Sequence, residues 1–432
     1  MRKYLVVSFI LFISSITITS AHTFHGVSMA PNTLKGWVSG DTGLVYCTQN
    51  CGINWIDQSF ATTRWLSDIF FINEQKGWVA GNCAGYIYYT ENGGTTWLLQ
   101  IQGLACFIRR FFFIDDSCGW AGCYGAIIGR TTSGGQNYSW EQIWLPCPPF
   151  NLDTADVCGI SFVDRQRGWI CTGCYLRDIE PYDTLWGGQG YIAKSNDGGL
   201  NWQLLRRDTI YDFFDIKFLD SLNGFVVGGN DRTMLAVIMK TQNGGVNWQN
   251  VTIPSQAKYL RSLKFQGNQA WAVGHRGTIL HSDNGGNTWT LQISPVDTTL
   301  YDIDFSDSIH GLIAGDGCVL YTHNGGVTWN IANLGIEEEI ASLPLAMTSV
   351  VELYPNPAKS YFIIRLPLTA DRQKVSIFDV SGKLVKEIRD CFASARNDNI
   401  VKISLGGIQS GVYFVSLESE SKRIIERLVI IK

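Results

Sequence analysis

The strongest constraint on this 432-residue chain is a block that returns seven times between about residue 24 and residue 332. Each copy reads as an apolar strand, a Gly-Trp-apolar strand ending in Gly, a third strand, and a polar turn closed by Trp. The turn is Thr48-Gln49-Asn50-Cys51-Gly52-Ile53-Asn54-Trp55 in the first copy and Thr90-Glu91-Asn92-Gly93-Gly94-Thr95-Thr96-Trp97 in the second. It returns from Ser195 to Trp202, Thr241 to Trp248, Ser282 to Trp289 and Thr322 to Trp329, with a looser form from Thr131 to Trp140. A second marker keeps the same count: Gly36-Trp37, Gly77-Trp78, Gly119-Trp120, Gly168-Trp169, Gly224-Phe225, Ala270-Trp271 and Gly311-Leu312. Most copies lie 40 to 46 residues apart, the length of four short strands and their turns. The expected fold is all-β: a seven-bladed β-propeller over residues 22–332, each blade burying its aromatic face against the next.

Composition agrees. The chain has 45 Gly, 15 Trp, 22 Phe and 17 Tyr with only 17% charged residues, which favours many short aromatic-rich strands and tight turns. In each turn, Ser or Thr followed two residues later by Asn or Asp offers side-chain acceptors to the amides of the bend, and Gly-Gly permits positive φ. This is the Asp-box pattern of neuraminidase-type (BNR) repeats. Together with the Gly-Trp strand it resembles the photosystem II assembly and stability factor type of propeller. Only Asp197 is a true Asp at the box position. Asn50, Asn92, Asn243, Asn284 and Asn324 stand there in the other regular copies, and Ser133 in the loose one.

Both ends read as export signals. Arg2 and Lys3, the apolar run Tyr4 to Ile18 and the small residues Thr19-Ser20-Ala21 have the order of a secretory signal spanning residues 1–21, with an uncleaved anchor as the alternative. No later run is apolar for long enough to cross a bilayer, so no membrane span is expected in the mature form. Residues 333–349 read as a linker. Beyond it stand Pro355-Asn356-Pro357-Ala358, Asp379-Val380-Ser381-Gly382, Gly411-Val412-Tyr413 and a terminal Lys432, among alternating apolar residues that predict a small β-sandwich over 350–432. These motifs look like the type A sorting domain of the type IX secretion system. The resemblance implies passage through the periplasm to the outer surface or the medium of a Gram-negative bacterium, with residues 350–432 engaging the secretion machinery.

Residues 22–349 carry 19 basic and 29 acidic side chains, a net of −10, and residues 350–432 carry 13 and 9, a net of +4. An acidic body repels phosphate backbones, so nucleic acid is not an expected partner. A monomer without cofactor or metal is expected.

Twelve cysteines in an exported chain argue for disulfides. The candidates are Cys47, Cys51, Cys83, Cys106, Cys118, Cys123, Cys147, Cys158, Cys171 and Cys174. Cys47/Cys51 and Cys118/Cys123 are close enough in sequence to bridge within a turn, and bridges between adjacent blades are the preferred pattern for the rest. Cys171-Thr172-Gly173-Cys174 has the spacing of half a zinc site, without a second half.

The Asp-box resemblance also raises catalysis. Sialidases clamp a substrate carboxylate with three arginines, and this chain has Arg109, Arg110 and Arg276, but it lacks the Arg-Ile-Pro element and has seven repeats where sialidases have six. Xyloglucanases set paired carboxylates between two propellers, and here there is one. The favoured function is therefore non-catalytic binding of an unidentified protein or glycan, with a secreted glycan hydrolase as the alternative. Departures from repeat regularity mark the binding rim: the Tyr175–Gly190 insert with Arg177, Asp178, Glu180, Tyr182, Asp183 and Trp186, and the matching connections with His275, Arg276 and Asp316.

Overall fold

In the computed structural model the chain divides into two compact units, residues 1–338 and 339–432. The structure describes residues 22–334 apart from 61, 63–64, 82–84, 102–106, 137–138, 147–155, 174–189 and 231, and most strand residues from Glu352 to Ile430. The expected signal at residues 1–21 lies outside the described residues. Among those described, no helix is long and apolar enough to cross a membrane.

The first unit is a ring of seven four-stranded antiparallel sheets, each built from four consecutive strands. Blade 1 comprises Phe24–Met29, Gly36–Gly40, Val45–Thr48 and Trp55–Asp57. The innermost strands of blades 2 to 7 are Leu66–Phe71, Ile108–Phe113, Asp156–Phe162, Asp212–Phe218, Leu260–Gln266 and Leu300–Phe305. No strand is shared between the ends of the ring, so closure depends on contacts between blades 7 and 1.

The polar turn shows why its residue types repeat. In blade 2 the Thr90 hydroxyl donates to Asn92 Oδ1 (3.0 Å) and accepts from the amides of Asn92 (3.3 Å) and Gly94 (2.9 Å). Asn92 Oδ1 then accepts from the Thr96 amide at 2.9 Å. Asp197 makes the same bonds in blade 4, so Asn serves as well as Asp. The first turn glycine donates its amide to the loop between strands one and two of its own blade, as Gly93 does to Gln75 O and Gly198 to Gln166 O. Those two sets of turns therefore share one face of the ring. The hairpins between strands two and three, and the entries into strand one, share the other.

The Gly-Trp marker is an inter-blade bolt. Trp37, Trp78, Trp120, Trp169 and Trp271 are fully buried, and each indole N–H donates to the carbonyl of Gly93, Gly134, Gly198, Gly244 or Gly325 at 2.9 to 3.2 Å. In the first four cases the acceptor lies in the turn of the next blade, and Gly325 lies in blade 7, next to Trp271 of blade 6. Each ring also stacks on a Phe of the next innermost strand, with centroids 3.5 to 3.7 Å apart for Trp37–Phe71, Trp78–Phe113, Trp120–Phe162, Trp169–Phe218 and Trp271–Phe305. Blade 5 replaces the indole with Phe225, which meets Phe265 at 4.8 Å. Blade 7 replaces it with Leu312, packed in one apolar cluster with Met29, Val38 and Cys51 of blade 1.

The second unit contains a three-stranded sheet, Glu352–Tyr354, Tyr361–Arg365 and Ile400–Ser404, and a four-stranded sheet in the order Leu384–Cys391, Gln373–Asp379, Gly411–Glu418, Arg423–Ile430. Ile377, in the middle of the second sheet, is buried.

The bolt separates into two measurable parts. Trp120→Phe keeps an aromatic ring on Phe162 and loses the N–H, so it should lower unfolding stability by about 1 kcal/mol. Trp120→Ala also leaves a cavity and should cost about 3–5 kcal/mol in the same urea titration.

Candidate functional site

Every innermost strand has a bulge or register shift near its start, where its second or third residue is offset from the regular ladder. The shift aligns seven equivalent positions around the central channel: Gly26, Asp68, Arg110, Gly159, Asp215, Ser262 and Asp302. Arg110 reaches across from blade 3. Its Nη1 lies 2.7 Å from Asp302 Oδ1 and 3.8 Å from Asp68 Oδ1, and its Nη2 lies 3.8 Å from Asp215 Oδ2 and 3.5 Å from Ser262 Oγ. One guanidinium thus ties blade 3 to blades 2, 5, 6 and 7.

The same carboxylates hold neighbouring backbones. Asp68 Oδ2 accepts from the Phe111 amide at 2.6 Å, Asp215 Oδ2 from Leu263 at 2.9 Å and Asp302 Oδ2 from Val27 at 3.0 Å. The position two residues on repeats the device: Ser28 accepts from Phe71, Ser161 from Phe218, and Asp304 from Met29 at 2.7 Å. Lys264 pairs with Asp304 at 2.5 Å and Lys217 with Asp215 at 3.5 Å. Burial lifts the Asp68 carboxyl to about 7, against the attraction of Arg110 and with the repulsion of Asp302.

Above this hub, on the hairpin face, the bulged residues themselves form the channel mouth: His25, Ser67, Arg109, Cys158, Phe214, Arg261 and Tyr301. His25 Nε2 meets Asp41 Oδ1 at 2.7 Å, and its ring lies 5.9 Å from Trp65 and 5.5 Å from Tyr301. Burial is the largest influence on Asp41 and would raise it, but the hydrogen bond and charge interaction with His25, the Thr23 amide and the charge interaction with His22 together outweigh it and hold the carboxyl below its usual range. Arg109 is paired with buried Asp156 at 3.0 Å. Arg261 lies 4.2 Å over Phe214 and donates through Nε to His275 Nε2 at 3.1 Å.

Of the rim residues expected from sequence, His275 stands at this mouth against Arg261 and Tyr259. Arg276 is exposed on the same hairpin, 3.6 Å from Asp297, and Asp316 accepts from the Thr23 hydroxyl at 3.1 Å. Arg177, Asp178, Glu180, Tyr182, Asp183 and Trp186 lie outside the described residues. Arg109, Arg110 and Arg276 are each engaged by a different carboxylate.

The turn disulfides require correction. Cys47, Cys51, Cys118, Cys158, Cys171 and Cys318 are buried free thiols. Cys47 packs in the interface of blades 1 and 2 while Cys51 packs in that of blades 7 and 1. Cys118 likewise faces blade 4 while Cys123 packs toward blade 2. Although close in sequence, the members of each pair pack into opposite inter-blade interfaces, so neither pair bridges. Cys158 sits on the channel wall beside Phe214 and Tyr259, and Cys171 sits between blades 4 and 5. Cys83, Cys106, Cys147 and Cys174 lie outside the described residues. Burial pushes the Cys47 thiol up to about 11 and Cys51 to about 12. Among the described residues, no group of three or more His, Cys, Asp or Glu is placed to hold a metal ion.

Sequence reasoning missed the Arg110 hub, Arg261, His25 and Trp65. The available signal was positional: aligning the seven Gly-Trp markers and counting back to the innermost strand brings these residues into register.

Comparison with known proteins agrees with this architecture. Residues 194–294 match the family described as Photosynthesis system II assembly factor YCF48, and residues 352–432 match the Secretion system C-terminal sorting domain. The Photosystem II assembly lipoprotein Ycf48 of Synechococcus sp. (strain CC9902) is 32% identical over 92 residues, which is 21% of this chain and 26% of that protein. Beta-agarase A of Zobellia galactanivorans is 33% identical over 100 residues, 22% of this chain and 16% of the relative. The chain thus spans about a quarter or less of these curated relatives. Among solved structures, "YCF48 bound to D1 peptide" superposes with a TM-score of 0.54 at 17% identity, covering 70% of this chain and 93% of that one. The GH74 enzyme of Niastella koreensis gives 0.57 at 12% identity, covering 95% and 73%. These likenesses are of fold. The sorting domain marks the chain for export to the cell surface or beyond.

The raised Asp68 carboxyl has a testable sign. Its native value, about 7, lies above the ordinary 3.8, so its protonation favours the fold below about pH 4, and that contribution is lost as pH rises toward 7. The stability difference between the native chain and Asp68→Asn should therefore shift against the native chain across that window, by at most about 1.4 kcal/mol per pH unit, in urea titrations at a series of pH values.

Proposed function

We propose that this chain is an exported binding module that holds a protein or glycan ligand at the hairpin-side mouth of its channel and does not transform it. The observation that carries this reading is the division of labour at the mouth. The carboxylates of Asp41 and Asp156 are engaged by His25 and Arg109, whereas large aromatic rings stand open to solvent. A carboxylate already held by a neighbouring side chain is a poor general acid or nucleophile, while exposed rings flanked by fixed polar groups suit recognition. The solved YCF48 propeller that resembles this one has a peptide bound to it, which supports binding as a use of the architecture.

Glycan hydrolysis is the second reading, favoured by the fold likeness to a GH74 enzyme and the sequence likeness to a β-agarase. It needs two carboxyl groups about 5–9.5 Å apart on a sugar-binding groove. Incubation of the full chain with agarose and xyloglucan separates the readings: release of reducing ends would make the chain an enzyme.

The binding reading predicts that a ligand found on glycan and peptide arrays loses roughly tenfold or more in affinity with Tyr301→Ala at the mouth. Trp144→Ala, on an outer strand, should leave the affinity unchanged. Equal loss in both variants would remove the mouth as the site. Deleting residues 352–432 should leave a folded propeller retained in the periplasm, read by fractionation and protease accessibility of whole cells. Undiminished appearance outside the cell would contradict the sorting role.

A further inference from the structure

We infer that the mouth of the channel binds an uncharged polysaccharide, laid along an aromatic arc that runs over blades 7, 1, 2 and 3. This inference rests on the binding-module reading and names the ligand class of that same mouth.

Trp65 and Phe107 occupy one structural position in neighbouring blades, two residues before the bulged residue of the innermost strand. They are 50% and 37% exposed. The same position in blades 4, 5 and 6 holds Asp156, Asp212 and Tyr259, all buried. A large ring left partly in water forgoes part of its free energy of burial, and neither Trp65 nor Phe107 is a bolt of the kind that joins neighbouring blades. The arc is continuous on both sides. His25 stacks on Trp65 and contacts Tyr301, and Tyr124 on the next hairpin meets the Phe107 edge at 6.0 Å.

Charge selects among the ligands that aromatic rings accept. Among the described residues beside the arc, His25 is hydrogen-bonded to Asp41 at 2.7 Å and Arg109 is paired with Asp156 at 3.0 Å, so both are already engaged. Asp316 adds a further carboxylate beside Thr23 at the blade 7 end. An anionic ligand would meet a body with a net charge of −10 over residues 22–349. An uncharged sugar chain does not suffer that cost. The apolar face of each pyranose can stack on a ring, and its hydroxyls can bond to groups that the ion pairs hold in place.

The test is affinity electrophoresis of the full chain through gels containing xyloglucan, laminarin or agarose, with alginate as the anionic comparison. Retardation is expected in at least one uncharged polysaccharide. It should weaken roughly tenfold in Trp65→Ala and in Phe107→Ala, and persist in Trp144→Ala. Raising salt about tenfold should leave it intact, because no ion pair with the ligand is involved. Absence of retardation by every uncharged polysaccharide, retention in both arc variants, or stronger and salt-sensitive binding to alginate would overturn the inference. If array peptides still bind in a Tyr301-dependent way while the polysaccharides fail, the glycan assignment falls and the binding-module reading stands.

Discussion

A tryptophan indole that leaves its own blade to bond the turn of the next carries the architecture. Its ring stacks on a Phe of the neighbouring innermost strand, and its buried N–H finds its acceptor in a turn carbonyl of the next blade. Several features follow from that contact. The Gly before the Trp is needed because the Phe of its own blade's innermost strand, on which the previous blade's Trp stacks, lies where a side chain would stand: a Cβ at Gly119 would come within 2.3 Å of Phe113. The Ser/Thr and Asn of the turn hold the accepting carbonyl in place. Identical blades can then be added in sequence, since each presents the same donor and the same acceptor.

The bolt is absent where the ring closes. Leu312 has no N–H to give, and Cys51 takes the place of the first turn glycine at a φ of +49, a left-handed conformation that costs a non-glycine residue about 1 kcal/mol. His323 Nε2 meets the Cys51 carbonyl at 3.1 Å in place of an indole. The seam instead uses two carboxylates, Asp302 and Asp304, on two amides of blade 1, with a backbone bond from Asn32 to Ser306 O. Asp302 is also the carboxylate nearest Arg110, so the central hub and the closing seam are one network. Such a buried polar cluster stabilises only while each member keeps its partner.

What could be read from sequence followed the range over which each feature acts. Blade number was legible because the Gly-Trp pair and the Asp-box turn are local motifs that recur in every copy, even where Phe225 and Leu312 replace Trp and the third turn is two residues longer. The hub was not, because Arg110, Asp68, Asp215 and Asp302 lie in innermost strands of differing sequence and meet only across the channel. The cysteine pairs misled because separation along the chain says nothing about which face of a sheet a side chain takes. Cys47 and Cys51 are four residues apart and serve opposite interfaces. His275 was reached by its hairpin position, while His25, Arg261 and Trp65 needed the register of the strand bulges.

A rigid ring of this kind leaves its hairpin face free to diversify, which is consistent with one fold appearing in a photosystem assembly factor and in a glycoside hydrolase. The account depends on the seam being closed by carboxylate-to-amide bonds. Amide hydrogen exchange of the full chain measures this directly. If the ring is closed as described, the amides of Val27 and Met29 exchange as slowly as those of Phe111 and Leu263, which the same device protects inside the ring. Exchange at Val27 and Met29 as fast as at exposed turns would mean that blades 7 and 1 are not joined in this way, and the account would fail.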